Sequence, residues 1–494
     1  MPSLVMEEKK LAIEPAASRL LNELSRLLAK RHLPAYIVGG FIRDTLLGRD
    51  TADIDLAVDG DALTVAVDVA ESLDGKYITL DDINQIGRVI LPDAGWQIDF
   101  STLQGDIQQD LARRDFTIDA LALELGTDFT PQNIIDPFHG HDDLRRRIIR
   151  AVSDKTFKDD SVRLLRAVRL AAELGFTIEK STEKLIIRDN ALIAGVAGER
   201  VREELLRLLG LSGAGQQLFY LDKLGLLTAL MPELAGTKGV EQPIEHVWDV
   251  YEHSIQTVAA VEFVLHESPL EYAGKKVLGA IPWPDRLQKH FDREISNGST
   301  ARSMLKLAAL LHDIAKPQTK TIEGDRTRFL GHADIGAETA TAIMERLRFS
   351  NREIQLVTLL IKYHLRPTQM SNEGLPTNRA IYRYFRATGE AGIDLLYLCL
   401  ADHLAARGKT LDLDLWQEHC RLTEYVLEKH DNEAAISAPP KIFDGNDIID
   451  RFGLEPGPRI GELLEELHEA QAAGEVTTRE QAVTYIRELL SEKK

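Results

Sequence analysis

Along the first 150 residues the apolar period changes repeatedly. Leu20, Leu21, Leu24, Leu27 and Leu28 recur at three- and four-residue intervals and predict an amphipathic opening helix. Short apolar-rich runs at Ala35–Val38, Ile54–Val58, Tyr77–Leu80, Arg88–Leu91 and Trp96–Phe100 predict strands, and Leu63–Leu73 predicts a helix among them. From Lys158 the period is helical nearly to the end. Arg163–Leu174, Glu199–Leu209, Ser303–Ile314 and Glu338–Leu347 each carry apolar residues at i, i+3 and i+4. The predicted class is α+β, a small α/β head followed by an all-helical body. Joints are expected at Asp136–His141, Gly210–Gly215 and Ala438–Lys441, and Glu267–Thr300, with Pro269, Pro282 and Pro284, reads as an insertion in the body. There is no internal repeat and no low-complexity tract.

Composition narrows the class. At 494 residues the chain is long enough for roughly three domains. A hydrophobic share of 44% and a charged share of 28% fit a soluble globular protein and argue against a disordered one. No apolar run is long enough for a membrane span. Met1–Lys10 carries Glu7, Glu8, Lys9 and Lys10 and does not read as a secretory signal. Cys399 and Cys420 are the only cysteines, which excludes a disulfide framework and leads us to expect a cytoplasmic protein. The net charge of -19 speaks against a purely RNA-binding protein. Gly140–Gly210, however, holds 15 Lys and Arg against 12 Asp and Glu, a basic segment compatible with RNA.

The chemistry begins at Val38-Gly39-Gly40-Phe41-Ile42-Arg43-Asp44, where a predicted strand runs through two glycines into a helix. Glycines there let backbone amides approach a phosphate. Asp53 and Asp55 stand two apart on the next strand and so share a face, a pair suited to divalent metal and hence to a triphosphate. Asp99 projects from Trp96–Phe100, and an unpaired buried carboxylate is costly enough that a metal partner is expected for it too. Each feature alone is bland: two glycines usually mark a turn, and Asp-x-Asp a solvated strand. Together, with Arg43 and Arg49 between them, they are specific.

The pattern Gly39-Gly40-x-x-Arg43-Asp44, Leu47-Gly48-Arg49, Asp53-x-Asp55 resembles the signature of class II nucleotidyltransferases, the bacterial tRNA nucleotidyltransferases and poly(A) polymerases. Further motifs match in order: Arg113-Arg114-Asp115-Phe116-Thr117-Ile118-Asp119-Ala120, Ile135-Asp136-Pro137-Phe138, Asp159-Asp160-Ser161-Val162-Arg163-Leu164-Leu165-Arg166-Ala167-Val168-Arg169, and Glu199-Arg200-Val201-Arg202-Glu203-Glu204-Leu205. Asp119 stands where the family more often has Asn, and Asp159 where Glu is usual. The resemblance implies catalytic Asp53, Asp55 and Asp99 holding Mg2+. It implies nucleotide binding by Gly39, Gly40, Arg43, Arg49, Arg113, Arg114, Asp115, Asp160, Arg163 and Arg166. The substrates implied are tRNA and CTP or ATP. Asp160 and Arg163, spaced i, i+3, are expected on one helical face. There the carboxylate accepts from the exocyclic amine of C or A while the guanidinium donates to the ring nitrogen, with no template. Full CCA-adding relatives carry a mobile loop after the third acidic strand. Here Asp99 and Arg113 are separated by a connection whose second half, Ile107–Leu111, reads as helix, leaving about five residues of loop. That predicts CC addition without the terminal A.

A second constellation is His253, His312-Asp313, His332, His364 and Asp402. Imidazoles with carboxylates suit a divalent transition metal, and a His-Asp pair within a predicted apolar helix is hard to explain by packing. The set is similar to HD-superfamily metal phosphohydrolases, with His253, His312, Asp313 and Asp402 as the basic positions and His332 and His364 as additional ones. His246 and His403 read as structural. The expected organisation is a nucleotidyltransferase head over residues 1–150, a helical neck for base selection and RNA over 151–245, an HD domain over 246–437 and a helical tail over 438–494 that resembles the family's tRNA-contacting segment. The leading expectation is a template-independent tRNA nucleotidyltransferase with possible phosphohydrolase activity in the HD domain. The alternatives are a poly(A) polymerase and a metal phosphohydrolase with a nucleotide-binding head.

Overall fold

The computed structural model describes residues 13–82, 85–92, 95–324, 326–370, 374–432 and 441–492. Met1–Lys10 and most of the joint expected at Ala438–Lys441, including the 437/438 boundary, lie outside the described residues. The chain divides into two compact units. One comprises the residues up to Val196 with Leu224–Leu226, the other Ala197–Lys223 and the chain from Leu227 on. The stretch 151–245 expected as a neck is therefore divided: its base-selecting part belongs to the unit of the head, its remainder mostly to that of the body.

The first unit is built on six strands: β1 Ala35–Val38, β2 Asp53–Val58, β3 Lys76–Asp81, β4 Ile86–Leu91, β5 Trp96–Thr102 and β6 Ala122–Glu124. Their order across the sheet is β3-β4-β5-β2-β1-β6, with β2 and β5 parallel and the other neighbours antiparallel. The α-helices are α1 Pro15–Ala29, α2 Gly40–Leu46, α3 Ala62–Ser72, α4 Ile107–Ala112, α5 Gly140–Arg146, α6 Thr156–Asp159, α7 Arg163–Leu174 and α8 Lys180–Asp189. The sequence missed β6, three residues too short for alternation to show, and the two-residue strands Ile148–Ile149 and Thr177–Ile178, which pair with each other in parallel. The parallel β2–β5 pair needs a crossover, which runs through α3 and the β3–β4 hairpin. One face of the sheet, with Ile54, Leu56, Val89, Ile98 and Phe100, is fully buried. On that face Gly87 lets α3 approach closely, since a Cβ there would stand 3.0 Å from the Ala66 methyl. The opposite face carries Asp53, Asp55 and Asp99, because side chains alternate along each strand. Helix α4 begins at a capping box formed by Asp106 and Gln109, so the loop after β5 is only residues 103–106.

Among its described residues the second unit is helical apart from two short antiparallel hairpins, of which Lys320–Glu323 with Arg326–Phe329 departs from the all-helical expectation. Helices Val250–Val264 and Ala391–Arg407 are buried on almost every side and pack against each other; Ala301–Leu311 packs on both. The segment read as an insertion is integrated. Leu270, Ile281, Leu287 and Phe291 are buried, and Glu267 bonds Arg302 and the fully buried Lys306, which also reaches Glu262 at 3.0 Å. The tail helices Gly445–Phe452, Pro458–Ala472 and Arg479–Glu492 share a core of Phe443, Ile448, Leu463, Leu467 and Ile486. Tail acids are answered from helix Asn378–Thr388: Arg383 pairs with Glu469, Arg386 with Glu465 and Arg379 with Glu475. Among the described residues no helix is long and apolar enough to cross a membrane.

Candidate active site and metal centre

In the head, strand register assembles the acids. Asp55 lies opposite Asp99 across the parallel β2–β5 pair, and Asp53 stands one pleat along the same face. Asp55 lies opposite Val38 on its other side, where the chain leaves β1 into Gly39. Gly39 has φ 70°, and a Cβ there would stand 3.0 Å from Arg114 Nη1 and 3.2 Å from Asp55 Oδ2. Only glycine meets both demands, a left-handed backbone and close approach to two site side chains. The Gly39 amide donates to the Leu121 carbonyl, so it is not a free phosphate donor. Burial pushes the Asp55 carboxyl up to about 6, reinforced by Asp99, Asp119 and Asp53 and opposed by Arg114. A carboxylate crowded in this way gains strongly from a cation.

Asp99 is not the unpaired carboxylate that its strand neighbours suggest. Arg88 on β4 lies directly opposite and binds it with both forks, Nε to Oδ1 and Nη2 to Oδ2, each 2.7 Å. Among the described residues, the three head acids do not form a group of three ligand atoms within 4.8 Å of one another.

The arginines are tied as follows. Arg43 donates to both oxygens of Asp44 and, at 2.7 Å, to Asp119 Oδ1. Asp119, the departure from the motif, thus anchors Arg43. Burial raises its pKa while Arg43 opposes that rise. Fully buried Asp110 accepts from Arg113 at 2.6 Å and from Arg114 at 3.3 Å. Arg49 is partly exposed and donates to the Glu173 carbonyl at 3.2 Å. Buried Asp115 accepts from Arg166 at 3.2 Å. Asp160 and Arg163 meet at 3.9 Å, but not as two residues of one helix: Asp160 is extended (φ -152°) between α6 and α7, and Arg163 is the first residue of α7. Arg163 also donates to the carbonyls of Arg113 and Thr156, so backbone from two sides fixes its direction. Asp159 closes α6 and is exposed. Reading motifs in sequence missed Arg88 and Asp110; the i, i+3 and i, i+4 spacing of Asp110 to Arg113 and Arg114 was the available signal for the second.

In the body, all six expected ligands converge. The helix ends at Leu311, so His312 and Asp313 occupy the turn beyond it rather than its interior. His253 Nε2 lies 3.0 Å from Asp402 Oδ1 and 3.5 Å from Asp313 Oδ2. His312 Nε2 lies 3.2 Å from Asp313 Oδ2. His332 Nε2 lies 3.4 Å from Asp313 Oδ1 and 3.2 Å from His364 Nε2. Two trios have ligand atoms mutually within 4.8 Å, His253–His312–Asp402 and Asp313–His332–His364. The rings are oriented as metal ligands are: Nδ1 of His312, His332 and His364 faces the carbonyls of Ala309, Phe329 and Ile361 at 2.7–2.8 Å, and Nε2 faces the centre. His253 Nε2, His312 Nε2 and Asp313 Oδ1 are buried with no well-directed hydrogen bond, a donor set whose chemistry fits divalent cations. Burial lowers the His364 pKa to about 4, and neighbouring His312 adds to the fall, so the ring is neutral and free to ligate. Lys316 Nζ stands 2.6 Å from Asp313 Oδ2 and donates to Gln242. His246 packs its ring edgewise on His253, at 5.3 Å between centroids.

Comparison with known proteins bears on both sites. Residues 35–103 and 93–150 match the "Poly A polymerase head domain", 175–237 the "Probable RNA and SrmB- binding site of polymerase A", and 276–407 the "HD domain". The A-adding tRNA nucleotidyltransferase of Deinococcus radiodurans is 34% identical over 460 residues, which cover 92% of this chain and 95% of that protein. The CC-adding tRNA nucleotidyltransferase of Thermus thermophilus is 32% identical over 461 residues, covering 92% and 93%. A solved complex of CCA-adding enzyme with CTP has the same fold, with a TM-score of 0.64 at 23% identity over 97% of this chain and 96% of that one.

Proposed function

From the premise that this chain belongs to the tRNA nucleotidyltransferase family, we propose that it transfers nucleotides from CTP or ATP to the 3′ end of tRNA without a template. The observation that carries this reading is the acid row of β2 and β5 with Gly39 closing on Asp55. Asp53 and Asp55 would hold Mg2+, which when bound neutralises triphosphate charge and activates the attacking hydroxyl. The 3′-hydroxyl oxygen attacks the α-phosphorus, the bond to the β-phosphate breaks and pyrophosphate leaves. Arg114 sets the charge beside Asp55, while Arg113 and Arg49, the most exposed of the site arginines, face outward to take phosphate oxygens. Asp160 and Arg163 read the base. Opposite U or G the Asp160 carboxylate meets a carbonyl rather than an amine, and an unpaired polar group costs about 1–3 kcal/mol.

The four-residue loop at 103–106 supports CC addition that stops before the terminal A, since loops that rearrange over a site are longer. Incubating the protein with tRNA ending before CCA, with each triphosphate alone and with CTP and ATP together, and sequencing the products, tests both statements. No incorporation removes the assignment; efficient terminal A removes only the CC restriction. Two buried free cysteines fit a cytoplasmic setting.

The two ligand trios favour a second activity, metal-dependent phosphoester hydrolysis in the HD domain. His253, His312 and Asp402 would hold one transition-metal ion and Asp313, His332 and His364 another. Hydrolysis of a 2′,3′-cyclic phosphate that is lost in His312→Ala and kept in Asp53→Asn tests it.

A further inference from the structure

We propose that Arg88 is a positioning residue of the head, and that it takes Asp99 out of the metal-ligand set. The inference rests on the reading of Asp53 and Asp55 as the metal-holding pair. Across the sheet, the face carries Arg88, Asp99 and Asp55 on successive strands, with Arg114 against Asp55 at the Gly39 turn. Each inner carboxylate therefore has an arginine on its outer side. The two pairs differ in kind. Arg114 acts on Asp55 through space while its Nη2 is held by Asp110 at 3.3 Å, so the Asp55 oxygens remain open. Arg88 is bidentate, and both Asp99 oxygens accept from it at 2.7 Å. Fork-to-fork pairing is the strongest and most directional ion-pair geometry. Directly opposed register in the β4–β5 hairpin pre-sets it without side-chain searching.

A cation at Asp53 and Asp55 thus meets at Asp99 a carboxylate whose charge is already balanced, so the pair localises the cation on β2. Arg88 also fixes Asp99 toward β4, so that its charge would be answered there rather than by a cation held at Asp53 and Asp55. Removing Arg88 frees a third carboxylate, so cation binding is expected to strengthen while turnover falls. A residue that merely supports the fold does not produce opposite signs.

The test is Mn2+ titration of the full chain without nucleotide, by calorimetry or electron paramagnetic resonance. It is done in a His312→Ala, His364→Ala background that removes one residue from each trio, with CTP incorporation measured in parallel. Asp53→Asn is expected to weaken Mn2+ binding about tenfold or more, as loss of a ligand charge does. Asp99→Asn is expected to leave it within about twofold, and Arg88→Ala to bind at least as tightly as the parent while incorporation falls about tenfold or more. Arg88→Lys restores part of the incorporation, and Arg88→Ala adds little to the loss already caused by Asp99→Asn. Weakened Mn2+ binding in Asp99→Asn equal to that in Asp53→Asn makes Asp99 a ligand and overturns the inference. Additive losses in the double variant mean that Arg88 touches substrate itself and also overturn it. Unchanged Mn2+ binding in Asp53→Asn removes instead the underlying reading of the metal pair.

Discussion

Stripping metal from the HD centre is expected to destabilise the protein in proportion to the number of occupied sites. His253 Nε2, His312 Nε2 and Asp313 Oδ1 are buried with no well-directed hydrogen bond, and such groups cost about 1–3 kcal/mol each. Binding that satisfies them stabilises the folded chain by about 2.7 kcal/mol per site at a hundredfold excess over Kd. Two trios therefore contribute about 5 kcal/mol. For a unit of this size 1 kcal/mol moves the midpoint by about 2–4 °C, so full loading is expected to raise it by about 10–20 °C. The assay is thermal unfolding after chelation and again after adding back Zn2+, Mn2+, Fe2+ or Ni2+, with elemental analysis of the dialysed protein. Wild type is expected to hold two ions per chain and His364→Ala one, with about half the thermal gain. Nδ1 of His364 already faces the Ile361 carbonyl and its Nε2 stands 3.2 Å from His332 Nε2, so truncation breaks one trio and leaves the other. A midpoint unmoved by chelation and reloading, with less than one ion per chain, would refute the reasoning from orphaned ligand atoms.

Three further outcomes are expected. Asp53→Asn and Asp55→Asn each abolish CTP incorporation without lowering the unfolding midpoint, because both relieve like-charge crowding around a carboxyl that burial has pushed up to about 6; a folded, active variant contradicts the active-site assignment. Asp160→Ala and Arg163→Ala each relax the preference for C over U by about tenfold in four-nucleotide competition, the equivalent of one unpaired polar group, and unchanged discrimination in both moves base selection elsewhere. Glu353→Gln costs about 1.5–3 kcal/mol at pH 7 in urea unfolding, the range for hydrogen bonds to a charged group, since fully buried Glu353 accepts from Arg202 and from the Ser350 amide at 2.6 Å each. Burial alone would raise its pKa, but Arg202, Ser299 and Ser350 hold it below the usual value. Its contribution is thus complete above the unfolded value near ~4.3 and disappears as pH falls through the lower folded one. A wild-type advantage over Glu353→Gln that persists well below that range is inconsistent with an ionised Glu353.

The chemistry of the head was legible wherever it depended on local period. Alternation along Asp53–Val58 placed Asp53 and Asp55 on one face, and the same count placed Asp99 on its strand's polar side. The helix of Ile107–Leu111, and with it the short loop, followed from apolar spacing because its capping box is also local. The six body ligands were legible as a set, since imidazoles and carboxylates in an apolar context are costly to bury unless a cation or a hydrogen bond satisfies them. What the sequence left open depended on register and on where elements stop. Asp99 met Arg88 because the hairpin pairs Leu91 with Trp96, which carries Arg88 to Asp99 three residues on; one residue of slip would send Arg88 to the buried face. Asp160 left the helix because α6 ends at Asp159 and α7 starts at Arg163, and the Arg113 carbonyl, fifty residues away, holds Arg163 in place. His312 and Asp313 joined adjacent trios because their helix ended at Leu311 and turned them toward His253 and His332. Periods of 2 and 3.6 residues are properties of the backbone and can be read from a single chain. Which carboxylate meets an arginine and which is left for a metal is set by contacts distant in sequence, and only the folded chain decides it.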